Sequence, residues 1–277
     1  MFKRYKPFFK AGSMDMMAFK FNIFSWLIVS ALQVACLIFL WIAVFKNSIN
    51  GMDSIINGFS FQEMITYLVF VNIFTFVSFD GNTSWTINQE IKDGTIAMSF
   101  VKPISYRKRF IATNLGVVST MILLFGIPSF TIAYLIFYFL GYIQITSIWS
   151  FLLYLVLFLF SQLIATMLND VINYIFGIFC FYTTAGFGLN SIRNVIISFL
   201  SGTLIPLSFF PKVFETIVSY MPFAGMAQNP VLILLMKVSY IDALKLIGLS
   251  VIWLVILEVF ASLLFKHASK KITVQGG

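Results

Sequence analysis

The residues able to do chemistry are few, and most lie where charge is expensive. Asp80 and Glu258 fall inside long apolar runs. A carboxylate at the middle of a membrane-spanning helix costs about 3 kcal/mol on insertion scales, so such acids face a cavity, a partner or a cation. Glu258 reads either as a cavity or dimer-interface acid, or as one that snorkels, protonates or pairs with a cation. His267 is the single histidine, and the two cysteines, Cys36 and Cys180, sit far apart in apolar runs. That set is too small for a zinc or iron site, and the cysteines read as small buried apolar side chains. Gly is never followed by Lys, so no P-loop occurs, and GxSxG and HExxH are absent. No catalytic residue, metal site or cofactor is expected in this chain.

One polar segment stands out: Ile87-Asn88-Gln89-Glu90-Ile91-Lys92-Asp93-Gly94-Thr95, followed by Val101-Lys102-Pro103-Ile104-Ser105-Tyr106-Arg107-Lys108-Arg109. Ile87 and Ile91 are one turn apart, which predicts a short amphipathic helix. Gly94 is placed to end it in a left-handed cap. Glu90 and Asp93 offer charges to cations on a partner, and Ile87 or Ile91 an apolar knob. The bland reading is an interfacial loop whose cations neutralise lipid headgroups.

The elements that hold these residues follow from composition. Of 277 residues, 60% are apolar and 10% charged, with a mean hydropathy of +0.96. Soluble domains average roughly a quarter charged residues, so an ordinary soluble enzyme, a disordered chain and a nucleic-acid-binding module are excluded. An all-α integral membrane protein is expected. A spanning helix needs about 20 mostly apolar residues. The charged residues then divide the chain into six spans, about 21–45, 63–86, 111–140, 148–168, 171–191 and 246–265. Gly141–Ser147 is the turn between the third and fourth, and Asn169-Asp170 a tight turn between the fourth and fifth.

Residues 194–236 break the pattern with Gly202, Pro206, Pro211, Pro222, Gly225 and Pro230. Proline breaks helices, and irregular backbone at membrane depth is tolerated only inside protein or against a wet cavity. Two short half-helices around Phe209-Phe210-Pro211, dipping into the membrane and returning, are expected; one kinked seventh span is the alternative.

The net charge is +8, from 18 basic and 10 acidic residues. With the N-terminus in the cytoplasm, inner segments hold thirteen cations (Lys3, Arg4, Lys6, Lys10, Lys20, Lys92, Lys102, Arg107, Lys108, Arg109, Lys266, Lys270, Lys271). Outer segments hold five: Lys46, Arg193, Lys212, Lys237 and Lys245. Positive residues favour the cytoplasmic side, so both termini are expected there. Trp26, Trp41, Trp85 and Trp149 fall near span ends, as interfacial anchors do.

The run Glu90-Ile91-Lys92-Asp93-Gly94-Thr95 with Lys102-Pro103-Ile104-Ser105 resembles the cytoplasmic loop of ABC transporter type-2 permeases. So does Phe199–Pro211 with Met221-Pro222-Phe223 and Asn229-Pro230, and so does the terminal Gly276-Gly277 after a basic stretch. The resemblance runs over nearly the whole chain. It implies the membrane half of an exporter in the plasma membrane, driven by separate ATPase subunits that carry the ATP and magnesium. It also implies pairing with a second, identical or related permease, with Ile87–Thr95 contacting the ATPase. The broken segment (Gly202, Pro206, Phe209, Phe210, Pro211, Pro222) would lie near the outer exit of the translocation path. Abundant Phe either suits an amphipathic, lipid-like or peptide substrate or is simply the residue this sequence uses to fill the membrane. The alternative class is an ATP-independent channel or secondary carrier, and one lone broken segment speaks against matched half-helices in two repeats.

Overall fold

Helix ends in this chain follow from local chemistry. The computed structural model describes residues 2–18, 20–78, 83–101, 104–143, 147–183 and 186–271. Every named element among them is helical: α1 (Lys6–Ala18), α2 (Lys20–Lys46), α3 (Phe61–Ser78), α4 (Thr83–Lys92), α5 (Ile96–Val101) and α6 (Tyr106–Met121) form the first half. The second half holds α7 (Ile127–Phe139), α8 (Ile148–Phe179), α9 (Gly186–Leu200), α10 (Lys212–Ser219), α11 (Gln228–Leu234) and α12 (Tyr240–Ala268).

Before α3, Ser60 and Glu63 form a reciprocal capping box: the Glu63 amide donates to Ser60 Oγ at 3.3 Å and the Ser60 amide to Glu63 Oε2 at 2.8 Å. Ser239 caps α12 through its side chain, whose Oγ accepts from the Asp242 amide at 3.2 Å and donates to Asp242 Oδ2 at 2.7 Å. Pro128 has no N–H to give the preceding turn, and the backbone answers with a π-helical turn over Ile122–Gly126 that joins α6 to α7. Gly141, at φ +74°, closes α7 where the turn is expected.

Four helical stretches among the described residues are long and apolar enough to cross a membrane, Ile23–Lys46, Tyr106–Phe139, Ile148–Phe179 and Tyr240–Ala268, and a fifth candidate, Phe61–Lys92, takes in α3 and α4 on either side of residues outside the described ones. Ile23–Lys46, Phe61–Lys92, Tyr106–Phe139 and Tyr240–Ala268 overlap the expected first, second, third and last spans, while Ile148–Phe179 covers the fourth and runs into the fifth. The fourth and fifth do not stand as drawn. There is no turn at Asn169-Asp170, because α8 runs unbroken for 32 residues, about 48 Å at 1.5 Å per residue. Neither Asn nor Asp blocks a helix as proline does, and Asp170 is buried against a cation rather than exposed in a loop. Residues 186–200 form α9, which at 15 residues reaches only about 22 Å against a hydrocarbon core of about 30 Å. Arg193 is therefore buried in a helix and is no loop cation.

The 194–236 segment likewise begins inside α9. Beyond it lie irregular backbone, the short turns Leu207–Phe209 and Ala224–Met226, and the short helices α10 and α11.

Packing sorts the spans. α3 is enclosed, with Tyr67, Leu68, Phe70 and Val71 fully buried. α2 and α12 expose rows of large apolar side chains such as Leu32, Phe39, Val255 and Val259, which suits lipid or a second membrane protein. Two expectations fail here. Cys36 is exposed on α2, because that helix is peripheral. Trp41 is buried, its ring edge-on to Phe209 at 4.7 Å, so it packs the core instead of anchoring at an interface. The N-terminal α1 had no periodicity long enough to foresee. It crosses α6 backbone to backbone: a Cβ at Gly12 would stand 2.2 Å from the Thr113 carbonyl oxygen, and one at Gly116 2.0 Å from that of Phe9.

Candidate functional site

The expected docking helix forms as α4. It ends as drawn: the Gly94 amide donates to the Ile91 carbonyl at 3.2 Å and Gly94 adopts φ +69°. Its two faces are assigned differently from the expectation. Ile87 and Asn88 are fully buried, with Thr83 and Ser84. Ile87 presses on Gly177 of α8, where a Cβ would meet its Cδ1 at 2.6 Å, and Asn88 on Gly186 of α9, where a Cβ would come within 2.4 Å. Ile91 is half-buried in the same cluster. The Ile face is thus keyed into the chain's own core and offers no knob to a partner. The reason is that α4 lies beside α8, and an apolar stripe buries itself against the nearest apolar surface. Lys92, Asp93, Gly94, Thr95 and Met98 remain exposed and form a tip.

Glu90 is also turned inward. Both its oxygens accept from Arg109 Nη2, at 2.7 and 2.9 Å, and Oε2 also accepts from the Tyr106 hydroxyl at 2.9 Å. Arg109 in turn lies over the Phe110 ring at 4.4 Å, a cation–π contact that shields the pair.

Two residues earlier on α6, Arg107 makes a second cluster. Nη1 meets Asp170 Oδ2 on α8 at 2.7 Å, while Nη2 and Nε grip Glu258 on α12 at 2.5 and 3.1 Å. Asp170 Oδ1 also accepts from Asn114 Nδ2 at 3.0 Å and from the Thr83 hydroxyl at 3.5 Å. The Arg107 guanidinium lies 4.7 Å from the Tyr174 ring centroid. Residues i and i+2 on a helix point roughly opposite ways. The first turn of α6 therefore ties α4 on one side and α8 with α12 on the other. Glu258 is a cation-paired acid, one of the two readings open to it. Sequence reasoning missed Arg107 and Asp170: Arg107 looked like a headgroup cation and Asp170 like a turn residue. Asp80 lies outside the described residues.

The proline-rich segment is pinned rather than loose. Gly202, at φ +82°, accepts from the Tyr67 hydroxyl at 2.7 Å. Gln228 clamps both ends of the loop: its amide donates to the Ser201 carbonyl at 3.1 Å and its Oε1 accepts from the Leu207 amide at 2.7 Å. Pro206 and Pro211 flank the Leu207–Phe209 turn, and Pro222 is buried between α10 and α11. Phe210 packs edge-on to Phe199 at 5.0 Å.

The described residues thus form a multi-pass helical bundle in which a capped helix, α4, and two ion clusters are built around the start of α6. The chain belongs to the ABC-2 family: the model described as ABC-2 family transporter protein matches residues 31–276. It is thus a membrane permease of an ABC transporter, a component that is generally non-catalytic and typically works with ABC ATPase partners. Neither a curated protein nor a solved structure matches the chain.

Proposed function

We propose that this permease is the membrane half of an ATP-driven exporter of amphipathic, lipid-like or peptide molecules. It sits in the plasma membrane with both termini in the cytoplasm, pairs with a second identical or related permease, and is driven by separate ATPase subunits that bind the ATP and magnesium. One observation carries the reading. The exposed tip Lys92–Thr95 with Met98 caps a helix that is locked into α8 and α9 through Ile87 and Asn88 and into α6 through Glu90. A push on that tip moves three helices, because close-packed interiors transmit displacement rather than absorb it. The basic start of α6 on the same connection supports a cytoplasmic position.

A photo-crosslinking side chain at Thr95 tests the docking. In membranes from cells expressing the whole transporter it should label an ATPase subunit. Labelling confined to lipid would overturn the docking, and ATP-independent conductance of the lone chain in liposomes would favour a channel.

A further inference from the structure

A cavity of about 380 Å³ opens between α2, α3 and α9. That volume falls within the roughly 300–1,000 Å³ of small-molecule sites. Its walls are mostly apolar, with Trp26, Val29, Phe76 and Met121. Its polar groups are Ser30 and Gln33 on α2, Asn72 and Thr75 on α3, Ser198 on α9 and Thr203 in the pinned loop. Among the described residues, no charged side chain lines it.

The spacing is purposeful. Ser30 and Gln33 are i and i+3 on an otherwise apolar span, and so are Asn72 and Thr75, so each pair shares one helix face. Two hydrogen-bonding faces thus meet across one void. In hydrocarbon a polar group without a partner is strongly disfavoured. Thr75 Oγ1 is such a group: it is buried with no hydrogen-bond partner among the described residues. The neighbours are turned to accept. Ser198 gives its proton to the Asn194 carbonyl at 2.7 Å, and Asn72 Nδ2 donates to the Leu68 carbonyl at 2.8 Å. No donor among the described residues is bonded to their oxygens. One hydroxyl can donate to either of them and accept from Thr75. A charged head would lose its hydration here with no counter-charge to replace it.

We infer that this cavity binds a small neutral amphiphile whose hydroxyl-bearing head meets the Asn72–Thr75 face while its apolar body lies along Trp26, Val29 and Phe76. The inference rests on the export reading above and names the chemistry of its cargo. The same chemistry arises from a membrane lipid or from a free hydroxylated compound.

The test uses the purified full chain in lipid nanodiscs and a monoacylglycerol carrying a diazirine on its chain. Mass mapping of the labelled wild-type peptides should concentrate the label on residues 26–33, 72–76 and 198–203. A fatty acid and an alkylamine of equal chain length should each need at least tenfold more to compete than an unlabelled monoacylglycerol. A short-chain hydroxylated detergent competing as well as the monoacylglycerol marks a free compound as cargo; competition by the glyceride alone marks a lipid. Ser198→Trp, which fills the void, should lower labelling at least fivefold. Label spread evenly over the lipid-facing sides of α2 and α12, or equal competition by the charged amphiphiles, would overturn the inference. Both overturning readouts come from the wild-type chain, so a variant that misfolds does not blunt the test. No ATPase is present, so failure here leaves the export reading standing. Label in the cavity with no ATPase partner in cells would instead retire the export reading alone.

Discussion

Replacing Arg107 with Met removes the one guanidinium on which Asp170 and Glu258 converge, at 2.7 and 2.5 Å. Removing one partner of a buried ion pair costs about 3–5 kcal/mol, because the remaining charge is left without compensation. The Asp170 side chain is 6% exposed and, among the described residues, keeps Asn114 and Thr83 as donors, whereas Glu258 is 34% exposed and more easily solvated. The lower end, about 3 kcal/mol, therefore applies. At about 2–4 °C per kcal/mol for a chain of this size, the melting midpoint in detergent falls by about 6–12 °C. Arg107→Lys keeps the charge but loses the two-pronged grip on Glu258, so it lands between the two. The decisive comparison is a double-mutant cycle with Asp170→Asn, read by scanning fluorimetry and checked for monodispersity by size exclusion. With the orphaned charge gone, the double variant should recover at least half of the loss seen in Arg107→Met. If the two losses simply add, to within about 0.5 kcal/mol, the pair is not coupled and the cluster is not what joins α6 to α8.

Three further outcomes follow from the same contacts. Gly177→Ala drives a Cβ into Ile87 Cδ1 at 2.6 Å. Overpacking of this kind costs about 1–3 kcal/mol, so transport should fall, and adding Ile87→Val should restore it in a vesicle export assay. Gly116→Ala places a Cβ 2.0 Å from the Phe9 carbonyl oxygen; α1 should separate from α6 and become sensitive to limited proteolysis, while the rest of the chain keeps its melting midpoint to within a few degrees. Asp93→Lys changes only an exposed side chain and should leave stability within about 0.5 kcal/mol. It should lower export while the ATPase still turns over; Glu90→Lys should do both harms at once, because Glu90 is held by Arg109.

What could be read from the sequence was what is local. The first span, the last span, the turn at Gly141 and the cap at Gly94 rest on apolar run length and on glycine's freedom at positive φ. What escaped depends on partners far along the chain. Arg107 pairs with residues 63 and 151 positions away, and no spacing rule reaches that far. Asp170 shows the consequence: as a lone acid between apolar runs it resembles a turn, and only its partner makes a continuous helix tolerable. Ile87 and Ile91 share one face, but amphipathicity shows that a face is buried and not what buries it. The α4 stripe went to α8, and only the Lys92–Thr95 tip and Met98 stay exposed at its end. Trp41 looked like an interfacial anchor for a related reason, since nothing near it in sequence reveals Phe209.

The claim that matters most is that a separate ATPase drives this permease through that tip. The direct measurement is the intact mass and ATP hydrolysis of the complex purified in mild detergent through a tag on this chain, alongside the Asp93→Lys complex. The account predicts permease and ATPase subunits in equal number in both, with hydrolysis that a transported amphiphile stimulates in the wild type and no longer stimulates in the variant. A chain that purifies without any ATPase subunit, or a variant whose hydrolysis responds to the amphiphile as the wild type does, would contradict it.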